Sequence, residues 1–197
     1  MEEMHEYKII GKKFDLINIG IWFFSLILAY IIHVIVTFFE GKFGISLWLF
    51  EIPSVIGVYE KSNKLINKSI WSKLYKINDL SGIWEGNLQT SFDNYGSSIL
   101  ATCKIIQEFD KILIVLETEK SISYSIKAVL QINSLNEMIL DYDYINIPKI
   151  RNSKDLNIHF GHNTFRLNNN KELCGEYYNK QRNTRGEILL RKREEKK

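Results

Sequence analysis

From residue 16 to residue 39 the chain runs 24 residues without an Asp, Glu, Lys or Arg. At ~1.5 Å of rise per residue such a helix is roughly 36 Å long, enough to cross a ~30 Å hydrocarbon core with some tilt. A secretory signal would carry a shorter apolar stretch and small residues at its end. Here Phe38 and Phe39 stand in that place. The segment reads as a transmembrane helix, and its lipid-facing surface cannot also be the core of a soluble fold.

The next residues suggest a return. Glu40-Gly41-Lys42 reads as a turn, and residues 43–59 are apolar apart from Glu51 and interrupted by Pro53. A carboxyl at mid-membrane costs about 2.5–3.5 kcal/mol on insertion scales. A three-residue turn nonetheless requires an antiparallel partner, and Trp48 and Tyr59 suit interfacial anchoring. A two-helix transmembrane hairpin over 16–59 is therefore expected. Lys8, Lys12 and Lys13 precede it and Lys61, Lys64, Lys68, Lys73 and Lys76 follow, against Lys42 alone between the spans. The positive-inside rule places both termini in the cytoplasm, as expected for a multi-pass protein of the bacterial inner membrane. Residues 1–15 then form a cytoplasmic N-terminal segment. Residues 60–78 form a basic connector whose lysines suit anionic headgroups and whose Trp71 is expected at the interface.

After residue 78 the hydrophobic period changes to alternation, the signature of strands. Eight segments are predicted, at 81–91, 97–109, 111–119, 121–132, 137–147, 156–167, 172–179 and 182–192, separated by turn clusters such as Asn94-Tyr95-Gly96 and Asn168-Asn169-Asn170. No helical stretch interrupts them. Eight consecutive strands with short connections suit an eight-stranded antiparallel up-and-down, lipocalin-like barrel over 79–193, which removes exposed edges, followed by a charged tail at 194–197. A β-sandwich is the alternative. An eight-stranded barrel holds at most one small ligand.

Alternation assigns the faces. Asp141 and Asp143 point to water, so Leu140, Tyr142, Tyr144 and Asn146 point inward. Ile122, Tyr124, Ile126, Ala128 and Leu130 share a face, as do Ser97, Ile99, Ala101, Cys103 and Ile105, and Arg182, Thr184, Gly186, Ile188 and Leu190. A bulge is expected near Gly161. The first strand begins on the membrane side, so Trp84 marks the base and plugs it. The opposite end gathers Thr90, Ser97, Thr118, Tyr124, Tyr144, Tyr177, Arg182 and Thr184, with Arg151 on the longest connection. That end is aromatic, hydroxylated and basic. Aromatic faces stack on nucleobases, and Arg, Lys and hydroxyls hold phosphates. An inward arginine also calls for an anionic partner. The candidate binding residues are Tyr144, Tyr177, Arg182, Thr184, Tyr142, Tyr124, Thr90, Ser97 and Arg151.

Other functions find less support. A formal net charge of +3 is too small for a generic nucleic-acid binder, so no DNA or RNA polymer is expected. Cys103 and Cys174 make no metal spacing and no disulfide framework. His159 and His162 lack the carboxylate or cysteine partners of a zinc site. There is no nucleophile elbow, P-loop or paired acid and base, so neither enzyme activity nor a cofactor is expected. Within the hairpin, His33 and Glu51 are the odd polar residues and are candidates for facing neighbouring copies.

Several stretches together resemble one family: the two spans, Leu47-Trp48 with Pro53-Ser54, Trp71 in the connector, and Leu80-Ser81-Gly82-Ile83-Trp84-Glu85-Gly86 opening the barrel. So does the ending Leu173-x-Gly175-x-Tyr177 with Arg182-x-Thr184-x-Gly186-x-Ile188-x-Leu190. Over roughly 16–193 the chain is similar to the two-transmembrane, β-barrel effectors of CBASS, the bacterial cyclic-oligonucleotide-based antiphage system. The resemblance implies a barrel that binds a cyclic di- or oligonucleotide made by a partner synthase. It also implies ligand-induced homo-oligomerisation, inner-membrane disruption and death of the infected cell. The alternative is a membrane-tethered lipocalin-like binding protein for a lipid or small apolar metabolite.

Overall fold

A computed structural model describes residues 3–11, 15–43, 55–133, 135, 137–149, 157–179 and 181–194. The chain forms two compact units. One joins Met1–Lys12 to Asp79–Lys197, and the other is Lys13–Asn78.

The first unit is a closed barrel of nine strands rather than eight. Its strands are β1 (His5–Ile10), β2 (Gly82–Thr90), β3 (Ile99–Gln107), β4 (Lys111–Thr118) and β5 (Ser121–Ile132), then β6 (Met138–Pro148), β7 (His159–Leu167), β8 (Glu172–Asn179) and β9 (Thr184–Lys192). Strands β2 to β9 follow one another as an antiparallel meander, and β2 pairs with β9 to bring the ends together. The additional strand comes from the N-terminal segment. Near their shared turn β4 and β5 pair only from Val115 to Glu117 against Ile122 to Tyr124. Beyond that they splay, and β1 fills the gap, antiparallel to β4 through His5 and Glu6 and parallel to β5 from Tyr7 to Ile10.

The splay begins at a bulge between Ser125 and Lys127. It reverses the parity of β5, which corrects the expected facing: Ser123 and Ser125 are buried, Ile126 is exposed, and Ala128 and Leu130 return to the core. The backbone groups freed there are satisfied locally, as buried donors require. The Ile114 N–H donates to Ser125 Oγ at 2.9 Å, and Ser125 Oγ lies 2.8 Å from His5 Nε2. His5 Nδ1 meets the Glu6 carbonyl, which only accepts, so the neutral ring takes the Ser125 hydroxyl proton at Nε2.

The bulge expected at Gly161 is absent. Register between β6 and β7 is continuous from Ile139–Arg166 to Asn146–His159. The glycine has a packing role instead, because a Cβ there would fall inside the Tyr144 ring.

One end of the barrel is solid. Ile105, Leu130, Leu140, Phe165, Leu173 and Leu190 fill it, each almost wholly buried. Trp84 is also buried, and its indole N–H donates to the Leu80 carbonyl at 2.9 Å. The Leu80 N–H donates to Gln107 Oε1, whose amide in turn donates to the Tyr7 hydroxyl. Cys103 packs there as a small apolar group, and burial pushes its thiol up to about 12.

The second unit is helical: α1 (Asp15–Phe43), α2 (Val55–Leu65), one π turn (Ile66–Ile70) and α3 (Trp71–Tyr75). Within α1, Ile19–Phe39 is long and apolar enough to cross a membrane, and among the described residues it is the one such helix. Only 17% of that stretch is buried, so it is not the core helix of a soluble fold. Ile21, Ser25 and Ala29 make its buried stripe, and the Trp22 ring stacks on Tyr59 at 4.6 Å. Chain from beyond the end of α1 thus comes back beside its first turns.

Two expectations fail here. Glu40-Gly41-Lys42 continues α1 instead of turning, since a helix outlasts its apolar stretch when the next residues satisfy their backbone bonds in the same way. Trp71 is buried in protein at 2% exposure rather than resting at a lipid interface. Most of the expected second span, Glu51 included, lies outside the described residues.

Candidate functional site

The opposite end of the barrel is hollow. A cavity of about 910 Å³ opens there, near the upper end of the roughly 300–1,000 Å³ typical of small-molecule sites. Strand β1 is not part of this end: around the cavity β4 and β5 pair directly, and β1 enters only towards the solid end.

Its wall is built by alternation on β6, β7 and β8. Tyr142 and Tyr144 point inward from β6, Gly161 and Asn163 face them from β7, and Tyr177 stands opposite Asn163 on β8. Three inward aromatics lie over cross-strand glycines: Tyr144 over Gly161, Phe165 over Gly175 and Tyr177 over Gly186. Without side chains beneath them, the Tyr144 and Tyr177 rings lie along the wall and leave the bore open, while Phe165 makes the same pairing, known as aromatic rescue of glycine, in the solid end. Burial raises the pKa of all three phenols, Tyr142, Tyr144 and Tyr177, so each keeps its proton at neutral pH.

Of the residues proposed from sequence, the structure brings Tyr144, Tyr177, Arg182, Thr184, Tyr142, Thr90 and Ser97 to this cavity, along with Thr118. Thr90 also caps the 3-10 turn Ser91–Asp93, accepting from the Phe92 N–H. The Ser97 hydroxyl donates to Asp93, so its proton is already engaged. Tyr124 does not reach the cavity, because the bulge turns its side of β5 outward and brings Ser123 to the wall instead. Trp84 lies outside the wall, in the solid end. His33 is exposed on α1. Arg151 and Glu51 lie outside the described residues.

Three wall residues escaped the sequence reading, His159, Asn163 and Asn179, all buried, while Asn146 is inward as expected and joins them in the wall. His159 and His162 face opposite ways. His162 sits outside, with its Nδ1 2.9 Å from Asp143. His159 lines the cavity and meets the Asn157 carbonyl through Nδ1 at 2.9 Å. Burial lowers the His159 pKa below the ordinary imidazole value, partly offset by that hydrogen bond, and the nearby Arg182 charge lowers it further. Arg182 lines the same cavity, and its charge opposes the rise at Tyr144. Lys120 and Glu119 stand at the rim. No cluster of three or more metal-ligating side chains occurs among the described residues.

The wall of the cavity is polar and partly unsatisfied. Asn146 Nδ2 donates to Ser121 Oγ and Ser123 Oγ at 3.0 and 2.7 Å, leaving its Oδ1 buried without a partner. Both amide atoms of Asn163 are buried without a hydrogen bond of ordinary length, and the amide's one interaction is a weaker one with the Tyr142 phenol, which slightly offsets the rise that burial gives that phenol. Buried polar groups are rarely left so, and an unmet one costs about 1–3 kcal/mol.

A closed barrel with an aromatic, cationic cavity holding unmet hydrogen-bonding groups defines a small-molecule-binding barrel. Residues 75–192, well over half of the chain, match the family model described as Cap15, cyclic dinucleotide receptor domain. The chain belongs to that family. Comparison with curated proteins finds no match.

Proposed function

We propose that the cavity binds a cyclic dinucleotide and that the chain is an effector of CBASS antiphage defence. The observation that carries this reading is the cavity itself, in a domain of the cyclic dinucleotide receptor family. Tyr144 and Tyr177 offer ring faces for bases, while Arg182 and Lys120 offer positive charge for phosphates. The barrel in this reading senses and does no chemistry.

The helical unit supplies the output. The exposed apolar surface of α1 suits lipid and other copies of itself, and ligand binding favours a self-associated state that disrupts the bacterial inner membrane. For that to happen the ligand has to bind the associated state more tightly, because equal affinity for both shifts nothing. The barrel and both termini are then cytoplasmic, where a synthase of the messenger would act, and His33 and Glu51 are candidates for contacts between copies.

The test uses the full chain in lipid nanodiscs and a panel of cyclic di- and trinucleotides. One cyclic dinucleotide should bind and raise the melting temperature. Arg182→Ala should weaken it by about 10- to 100-fold, the worth of one or two charge-assisted hydrogen bonds, without loss of fold. Leu88, Leu116 and Ile188 also reach the wall and favour the second reading, a carrier of apolar metabolites. Binding of acyl lipids and of no nucleotide would establish that reading instead.

A further inference from the structure

Five buried polar atoms lack partners among the described residues, and three belong to Asn146 and Asn163 in the cavity wall. Other buried amides, in the wall and outside it, are engaged. Asn179 Oδ1 accepts from the Arg182 N–H, and the Gln107 side chain ties Leu80 to Tyr7. Asn163 is the extreme case, 1% exposed, with a donor atom and an acceptor atom side by side and no hydrogen bond of ordinary length at either, only a weaker interaction with the Tyr142 phenol. It lies between Tyr142 on one neighbouring strand and Tyr177 on the other.

We propose that Asn163 reads the hydrogen-bonding edge of one nucleobase of the bound ligand. The inference rests on the nucleotide-binding reading above and says which chemical group lies against which wall residue. A phosphate presents acceptors only, so it would satisfy Nδ2 and leave Oδ1 unmet. An acyl chain would satisfy neither. A base edge presents an adjacent donor and acceptor, as adenine does with its N6 amine and ring nitrogen, and a carboxamide meets both at once. Asn146 lies level with His159, four residues along β6 from the Tyr142–Asn163 pair and nearer the mouth, so Asn163 is left to meet the base alone. The phosphates are left to Arg182.

The test measures affinities of the full chain in nanodiscs, at pH 8.5, for cyclic di-AMP, cyclic di-GMP and cyclic di-UMP. Asn163→Leu removes both hydrogen-bonding atoms at similar volume, and should weaken the preferred ligand at least ten-fold without lowering the melting temperature. Asn163→Asp offers two acceptors and so requires two donors, which guanine presents at N1 and its N2 amine. Relative to the leucine variant, the aspartate variant should regain affinity for cyclic di-GMP and for neither of the others.

Leucine-variant affinities within three-fold of the parent would overturn the inference. So would an aspartate variant that treats all three ligands alike, since that reports only charge repulsion. Both outcomes leave the binding reading standing if the parent binds a cyclic dinucleotide. A parent that binds none removes the reading and the inference together.

Discussion

The two ends of the barrel share one strand meander and fill their bores in opposite ways. At the solid end Leu130, Leu140 and Leu190 interdigitate around Phe165, and the polar groups of Gln107 and Trp84 all find partners. At the hollow end a cavity of about 910 Å³ is lined by rings, hydroxyls and amides, three of whose polar atoms find none. The same alternation built both, so the difference is one of side-chain choice along each strand. Strand β6 shows it directly, running from Leu140 in the packed core through Tyr142 and Tyr144 to Asn146 in the cavity wall. Stability is concentrated where nothing binds, and unmet bonding capacity is concentrated where something can.

That division is open to test from both sides. The largest effect is expected from Leu140→Ala, which leaves a cavity in the solid end and should cost about 2–5 kcal/mol in unfolding experiments. Ligand affinity of the folded fraction should be unchanged, and an equal loss in both would mean that the ends are not independent. Gly161→Ala comes next. The new methyl would collide with the far edge of the Tyr144 ring rather than with backbone, so the ring must swing into the bore. Affinity should fall several-fold while the melting temperature moves little, the reverse of Leu140→Ala.

The smallest effect is a pH dependence. Burial holds the His159 pKa below its unfolded value, so the unfolded chain takes up a proton that the barrel resists as pH falls through about 6.5. Stability of the ligand-free barrel should therefore decline on acidification below that pH. Affinity for an anionic ligand should move the other way, because a phosphate near the ring favours the protonated form. His159→Gln should flatten both slopes, and a variant that keeps either slope would show that another group sets it.

Much of this was legible in the sequence, for a physical reason. Alternating Asp141 and Asp143 fix the facing of their neighbours, because a carboxylate seldom turns into a barrel without a partner. The inward set Tyr142, Tyr144 and Asn146 follows. Strand β1 was not legible. Its six residues, His5–Ile10, alternate weakly, carry Glu6 and Lys8, and gain their meaning only from the gap between β4 and β5. The bulge in β5 was hidden for the same reason, since it exists where β1 enters, and with it the outward turn of Tyr124. Asn163 was missed through a parity change assumed at Gly161, a glycine kept for the Tyr144 ring rather than for a bend.

Strand β1 has one more consequence, and it is topological. Gly11 follows β1 and Asp79 precedes β2, and both strands belong to one closed barrel whose solid end they share. The helical unit, Lys13–Asn78, is therefore an insertion within the barrel's own chain rather than a segment that precedes it. A six-residue strand at the barrel seam thus makes the barrel depend on chain from both sides of the helices.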